Sequence, residues 1–238
     1  MCSAWCSRGE VDALGPDVRS FKAGDQVFGF NRHLFGAYAE YVCWPEDGLL
    51  ATRPANLTDE EAAAIPYGGL LALHFLRRAN ARAGQRVLVY GASGAVGTSA
   101  VQLARRLGAE VTGVCSAANL ALVQSLGATT VVDYTREDFT ARGQRYDLIF
   151  DAVGKRKSAA GLRHCDRALA SGGKRLSVDD GRPKLLVEDL ISLGELAGTG
   201  EIRPVIDRCY PLEELVEAHR YVDEGHKRGN VVIAVARV

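Results

Sequence analysis

The residues with the clearest chemistry are Tyr90-Gly91-Ala92-Ser93-Gly94-Ala95-Val96-Gly97. They follow a short apolar run, 86–90 (RVLVY), and open a stretch whose apolar residues recur with helical period. A glycine-rich turn between a strand and a helix can hold a nucleotide diphosphate. Gly94 leaves no side chain between the backbone and a pyrophosphate, and Gly97 lets the helix pack close to the strand. The helix N-terminus adds unpaired N–H donors and a partial positive charge. The pattern here is AxGxxG, because Ala92 stands where GxGxxG has its first glycine. Such a turn alone also ends many strands that bind nothing. The regular strand–helix–strand surroundings favour the nucleotide reading.

The end of the next strand bears on which nucleotide. NAD sites carry Asp or Glu there to hold the ribose hydroxyls. This strand ends Val114-Cys115-Ser116 and continues Ala117-Ala118-Asn119. No carboxylate stands there to repel a 2′-phosphate, and Ser116 and Asn119 can donate to one. NADP is therefore favoured over NAD, although no Arg or Lys sits at that spot. The missing acid also argues against an S-adenosylmethionine methyltransferase.

Other chemistries lack their residues. The chain has no Tyr-x-x-x-Lys relay, no GxSxG elbow and no HExxH or Cys/His cluster. Its histidines (33, 74, 164, 219 and 226) are dispersed and read as surface or packing residues. The cysteines at 2, 6, 43, 115, 165 and 209 form no CxxC pair, so neither a disulfide framework nor a four-cysteine zinc site is expected. Reduced thiols point to a cytoplasmic protein. No apolar run reaches the roughly 18 residues of a membrane span, and residues 1–10 do not read as a signal peptide. Formal net charge is zero, which gives no electrostatic reason for a nucleic-acid or anionic-membrane partner.

The elements that must position these residues differ along the chain. Up to about residue 60, short apolar stretches are broken by Gly, Pro and Asp. Strands are expected at 11–14, 26–30 and 38–42, with turns at Gly15-Pro16, Gly24-Asp25 and Pro45-Glu46-Asp47-Gly48. This is the texture of a small β-barrel or part of one. From about residue 84, strands at 86–90, 110–115, 129–134, 147–153 and 174–178 alternate with helices at 95–107, 117–126 and 158–169. Gly108, Gly127 and Gly172-Gly173 serve as stops. The alternation predicts an α/β fold, a doubly wound parallel sheet with helices on both faces. Pro211 opens a further helix running to Gly225, and 230–235 reads as a strand.

With these motifs in order, the chain resembles the medium-chain dehydrogenase/reductases, in their zinc-independent quinone-oxidoreductase (zeta-crystallin-like) branch. The matching stretches are Gly9-Glu10-Val11-Asp12-Ala13-Leu14-Gly15, 21–29 (FKAGDQVFG), Gly36-Ala37-Tyr38-Ala39-Glu40-Tyr41, and Glu61-Ala62-Ala63-Ala64-Ile65-Pro66. They continue with 91–113, SLGA at 125–128, VVDYTRED at 131–138, FDAVG at 150–154, 169–173 and Gly229-Asn230-Val231-Val232-Ile233. The resemblance implies a Rossmann domain at 66–190 and an incomplete GroES-like catalytic domain at 1–65, to which 191–238 returns. It implies an enzyme transferring hydride from NADPH to a quinone, enone or other activated carbonyl compound. It places Ala92, Ser93, Gly94, Ala95, Val96 and Gly97 at the pyrophosphate, and Ser116, Tyr134 and Asn119 near the 2′-phosphate. Val153 and Gly154 fall beside the nicotinamide ribose, and Gly229 and Asn230 on a late loop near the nicotinamide. No residue is a compelling acid; Tyr67 and Tyr41 are the candidates, and either can instead fill the core. The partners implied are a small-molecule substrate and a second copy of the chain.

Several departures qualify this. Zinc-dependent relatives carry Gly-His-Glu where Ala4-Trp5-Cys6-Ser7-Arg8 stand, so no metal is expected. Family catalytic domains begin well before a segment like Gly9–Gly15, which reads as a missing N-terminal part. Three rivals stand beside it: a non-catalytic NADPH-binding remnant, an NAD(P)-dependent alcohol dehydrogenase, and a structural or lens-type accumulation role. Leu70 and Leu71 replace threonine that could hydrogen-bond the cofactor. Only 179–187 separate the fifth strand from the next helix, so the sixth strand of relatives is expected to be absent or vestigial.

Overall fold

The computed structural model describes residues 6–31 and 36–235, and every absence stated below concerns those residues. The chain divides into two compact units, Met1–Leu70 with Leu185–Val238, and Leu71–Lys184.

In the first unit β1 (Cys6–Glu10), β2 (Gln26–Phe30) and β3 (Leu50–Thr52) form an antiparallel sheet with β2 in the middle. The strand expected at 11–14 lies earlier instead. β1 pairs with β2 from Cys6↔Phe30 to Glu10↔Gln26, and beyond that Val11 and Gly24–Asp25 close a loop with two backbone bonds. Residues 38–42 form a bend and no strand. Tyr41, expected as a core or catalytic side chain, is 72% exposed.

The 21-residue helix α1 (Asp59–Ala79) was not anticipated as such. Its start is a capping box: Thr58 N–H donates to Glu61 Oε2 (2.9 Å), and Glu61 N–H donates to Thr58 Oγ1 (3.2 Å). Acidic residues fill the first turn and Arg77 and Arg78 the last, as the helix dipole favours. The helix continues through Pro66 and stops at Asn80, which takes the left-handed conformation at φ 60°.

The second unit is a five-stranded sheet. Its elements in chain order are β4 (Arg86–Tyr90), α2 (Ala95–Arg106), β5 (Glu110–Cys115), α3 (Leu120–Ser125), β6 (Thr130–Asp133), β7 (Tyr146–Asp151), α4 (Lys155–Ser158) and β8 (Leu169–Ser177). The spatial order is β6-β5-β4-β7-β8 and every pairing is parallel. β4, β5 and β7 are apolar on both faces, as a sheet covered by helices requires. The order in which successive strands are added reverses between β4 and β7. Val87, Leu88, Val89, Val111, Ile149 and Phe150 have no exposed surface.

The helix expected at 158–169 is the main correction in this unit. The segment is one α-turn, α4, then turns, then a 3-10 turn at Cys165–Ala168. Leu162, Cys165 and Ala168 reach the core at every third residue, the 3-10 rather than the α period. Gly161 lies against the Tyr90 ring, where a Cβ would come within 1.8 Å of the phenol oxygen. β8 starts at Leu169, not 174. Gly172-Gly173 is a bulge within it, since Tyr146 pairs with Leu169 but Leu148 pairs with Lys174. No sixth strand follows: Asp180 N–H turns back onto Ser177 O, and the sheet ends at β8.

The chain then enters α5 (Val187–Gly198) in the first unit. β9 (Ile206–Pro211), α6 (Leu215–Asp223) and β10 (Asn230–Ala234) follow, with β9 and β10 paired in parallel. Ala218 and Val231 form a small core there, covered by Tyr210, Tyr221 and Val222.

Candidate functional site

The turn after β4 is held from several sides. Gly91 and Ala92 N–H both donate to Val114 O, at 3.0 and 2.9 Å, which ties the turn to β5. Gly91 has φ +79°, and Val153 Cγ2 lies 2.3 Å from where its Cβ would be, so no side chain fits. Gly94 N–H returns to Gly91 O at 3.1 Å. At Gly97 a Cβ would meet Gly91 O at 2.1 Å and Ala92 Cα at 2.8 Å; helix and turn touch there. At Gly94 a Cβ would meet only Gly91 O, at 3.6 Å. Its lack of a side chain is therefore not explained by packing.

The turn amides divide accordingly. That of Ala92 goes to β5 and that of Gly94 to the turn itself. Thr98 N–H is the first to bond along the helix, to Gly94 O at 2.8 Å. The amides of Ala95, Val96 and Gly97 precede it and have no helical acceptor. No side chain caps this end and no acid sits in its first turn. The end of α2 can thus receive an anion without displacing anything.

Ser93, Ser116 and Asn119 come together beside it. Asn119 Nδ2 donates to Ser93 Oγ (3.3 Å) and Ser116 Oγ (3.2 Å). Asn119 is 7% exposed, and its Oδ1 has no hydrogen-bond partner. Tyr134 follows β6 with its N–H on Cys115 O (3.1 Å); its ring is half-exposed, 6.3 Å from the Tyr90 ring. Asp133, just before it, accepts from the Thr135 hydroxyl and amide. Those bonds, Thr135's hydroxyl foremost, and the Arg136 charge hold its carboxyl below the usual value.

Val153 and Gly154 sit on a support that was not foreseen in the sequence. Asp151, 2% exposed, accepts from Val153 N–H (3.0 Å) and Gly154 N–H (3.2 Å) with one oxygen. The other accepts from Ser158 Oγ (2.7 Å) and Ser177 Oγ (2.9 Å). An acid following three apolar residues at the end of the strand (YDLIFD) was the available signal. A cleft of about 440 Å³ in this unit is lined by Asp151, Lys155, Ser158, Arg163, Arg175 and Ser177 and by no residue of the 91–97 turn.

The remaining candidates belong to the first unit. Tyr67 and Asn230 line a cavity of about 50 Å³ with Cys6, Tyr38 and Val231. Tyr41 does not reach it. Gly229 has φ +55° and a Cβ there would meet Val205 O at 2.2 Å. Asn230 bonds Val205 O through both its amide (2.8 Å) and its side chain (3.1 Å). These two residues are thereby accounted for by the link between β9 and β10.

The fold and turn define a doubly wound α/β protein with an anion-receptive helix end at the carboxyl ends of its strands, where the sheet order reverses. The profile of the zinc-binding dehydrogenase family matches residues 126–191 and 176–233. A quinone oxidoreductase of Coxiella burnetii superposes with a TM-score of 0.88 at 30% identity, covering 98% of this chain and 78% of that one. The chloroplast envelope quinone oxidoreductase homolog of Arabidopsis thaliana is 31% identical, over 94% of this chain and 77% of that protein. The 2-methylene-furan-3-one reductase of Solanum lycopersicum is 32% identical over 94% of this chain, which spans 61% of the length of that enzyme. This chain belongs to the zinc-binding dehydrogenase family, the medium-chain dehydrogenase/reductases. Among the described residues no three His, Cys, Asp or Glu side chains come together as a metal-holding group. No helix among the described residues is long and apolar enough to cross a membrane.

Proposed function

We propose that this chain binds NADPH, in preference to NADH, at the turn after β4 and reduces a quinone, enone or other activated carbonyl compound without zinc. The observation that carries this is the uncapped N-terminus of α2, with three amides open beside a glycine whose missing side chain serves no packing purpose. Ala95, Val96 and Gly97 would hold the diphosphate through main-chain amides, with Ser93 adding a hydroxyl. Ser116 and Asn119, with no carboxylate at the end of β5, support the phosphorylated nucleotide. Val153, fixed by Asp151 and pressed on Gly91, forms a wall beside the turn. Residues 66–190 act in this reading as the nucleotide-binding domain, with 1–65 and 191–238 serving the substrate.

Bound NADPH supplies the hydride. The protein's part is to orient the reactants and to hydrogen-bond the oxygen on which charge develops. Tyr67, lining its small cavity, is the candidate donor. The exposed Tyr41 is not retained for that role. The relatives named as quinone and 2-methylene-furan-3-one reductases support the substrate class, and reduced thiols support the cytoplasm. Titration of the purified chain with NADPH, followed by turnover on 1,2-naphthoquinone and a simple enone, tests the reading. Binding with NADPH oxidation on either acceptor is expected. Binding without turnover makes the chain a nucleotide-binding remnant, and no binding overturns the site.

A further inference from the structure

The cleft beside α4 and β8 has no part in the proposed nucleotide site, since none of residues 91–97, Ser116, Asn119 or Tyr134 lines it. Its volume, about 440 Å³, is that of a small-molecule pocket. Floor and rim differ in character. At the floor Asp151, Ser158, Leu162 and Ser177 are all buried. Both serine hydroxyls donate to Asp151 Oδ2, at 2.7 and 2.9 Å. Their protons are thus committed, and the floor presents oxygen lone pairs, a carboxylate and an apolar side chain. Such a floor repels an anion and accepts an apolar or hydroxyl-bearing body.

The rim carries Lys155, Arg163 and Arg175. Lys155 Nζ pairs with Asp180 Oδ1 at 2.5 Å, and Asp180 also accepts from Ser177 N–H at 2.8 Å. The one acid at the rim is thereby engaged. Arg175 Nη1 lies 3.1 Å from Cys165 Sγ. Its 3.6 Å pair with Asp166 is exposed on both sides, where solvent screens the attraction. Among the described residues the Arg163 side chain has no hydrogen-bond or ion-pair partner. Two guanidinium groups therefore line the cleft with more charge than the neighbouring acids cancel. A guanidinium fork fits two oxygens of one acid group, and a dianion matches two such forks.

We propose that this cleft is a second ligand site that binds a small phosphate monoester, its phosphate at Arg163 and Arg175 and its body against Ala159 and Leu162. The site is independent of the nucleotide reading and stands or falls without it. Isothermal titration of the full chain with phenyl phosphate and with inorganic phosphate tests it. Phenyl phosphate should bind about tenfold tighter or more, because its ring leaves water for the apolar floor. Arg163→Gln removes an exposed, unpaired charge and should weaken phenyl phosphate about tenfold or more. Ala159→Trp, an exposed position at the cleft, should block the ligand by filling its space. Excess NADPH should not displace phenyl phosphate. The proposal is overturned by no binding of phenyl phosphate, by equal affinity for inorganic phosphate, or by affinity unchanged in Arg163→Gln. Displacement by NADPH overturns it too, since the phosphate would then sit in the cradle at the start of α2.

Discussion

Gly94 and Gly97 are three residues apart and answer to different constraints. The atoms a Cβ would strike at Gly97 are main-chain atoms that cannot swing aside. Gly97→Ala should therefore destabilise the fold by roughly 1–3 kcal/mol and lose NADPH binding along with it. At Gly94 the backbone is ordinary (φ −82°) and there is room for a methyl group. Gly94→Ala should leave stability within about 0.5 kcal/mol and weaken NADPH about tenfold or more, by covering the open amides. Urea unfolding and NADPH titration of both proteins separate the two effects. A Gly94→Ala protein that binds NADPH like the wild type would refute phosphate binding at this turn. Cys115 gives a pH dependence at the same scale. Burial, with the Asp133 charge behind it, pushes its thiol up to about 11 from 9.0. Burial likewise raises Tyr90 and Tyr146. Each group is neutral when folded and ionises sooner when unfolded, so the stability it contributes is complete below the unfolded value. That stability is lost as pH rises towards the folded one. The urea midpoint should fall between about pH 9 and about pH 11, and fall less in Cys115→Ala.

At the scale of elements, the carboxyl ends of β7 and β8 are tied by one buried side chain. Asp151 accepts from two amides that shape the Val153–Gly154 turn and from two hydroxyls on α4 and β8. Removing it leaves the Val153 and Gly154 amides and the Ser177 hydroxyl without that acceptor, while Ser158 Oγ keeps Gly154 O (3.0 Å). Asp151→Ala should cost about 3 kcal/mol and Asp151→Asn about 1 kcal/mol, because an amide still offers a carbonyl to the amides and an NH₂ to the hydroxyls. Thermal unfolding of the pair checks the order; equal losses would mean that the charge, not the bonding pattern, matters. β8 illustrates how local signals mislead. Gly172-Gly173 looks like a helix stop, yet it is the bulge that lets a nine-residue strand change register against β7. Beyond it Lys174 Nζ donates to Ala79 O (3.1 Å) and Arg175 reaches Cys165 Sγ (3.1 Å).

Across the whole molecule, burial is unevenly shared. β4, β5 and β7 are buried along nearly their full length, whereas no residue of β1 is fully buried. Native-state hydrogen exchange should therefore be slowest in the amides of β4, β5 and β7 and among the fastest sheet amides in β1. Slow exchange throughout β1–β3 would show that the first unit is as stable as the second. The first unit is also assembled from separated parts of the chain, Met1–Leu70 and Leu185–Val238, so it closes over a long sequence separation.

The sequence by itself determined the parallel sheet, the strand–turn–helix at 86–107 and the residues of its turn. There the apolar period, the glycine spacing and the helix start all depend on neighbours within a few positions. The Thr58–Glu61 capping box was equally local and could have announced α1. Tertiary structure alone decided that Ala92 spends its amide on β5, and that Asn119 reaches across to Ser93 and leaves one oxygen bare. It also decided that Asp151 anchors Val153 and that 158–168 follows a threefold rather than a helical period. Each of these outcomes depends on which backbone lies opposite in the folded sheet, a relation between residues distant in sequence that local spacing does not encode.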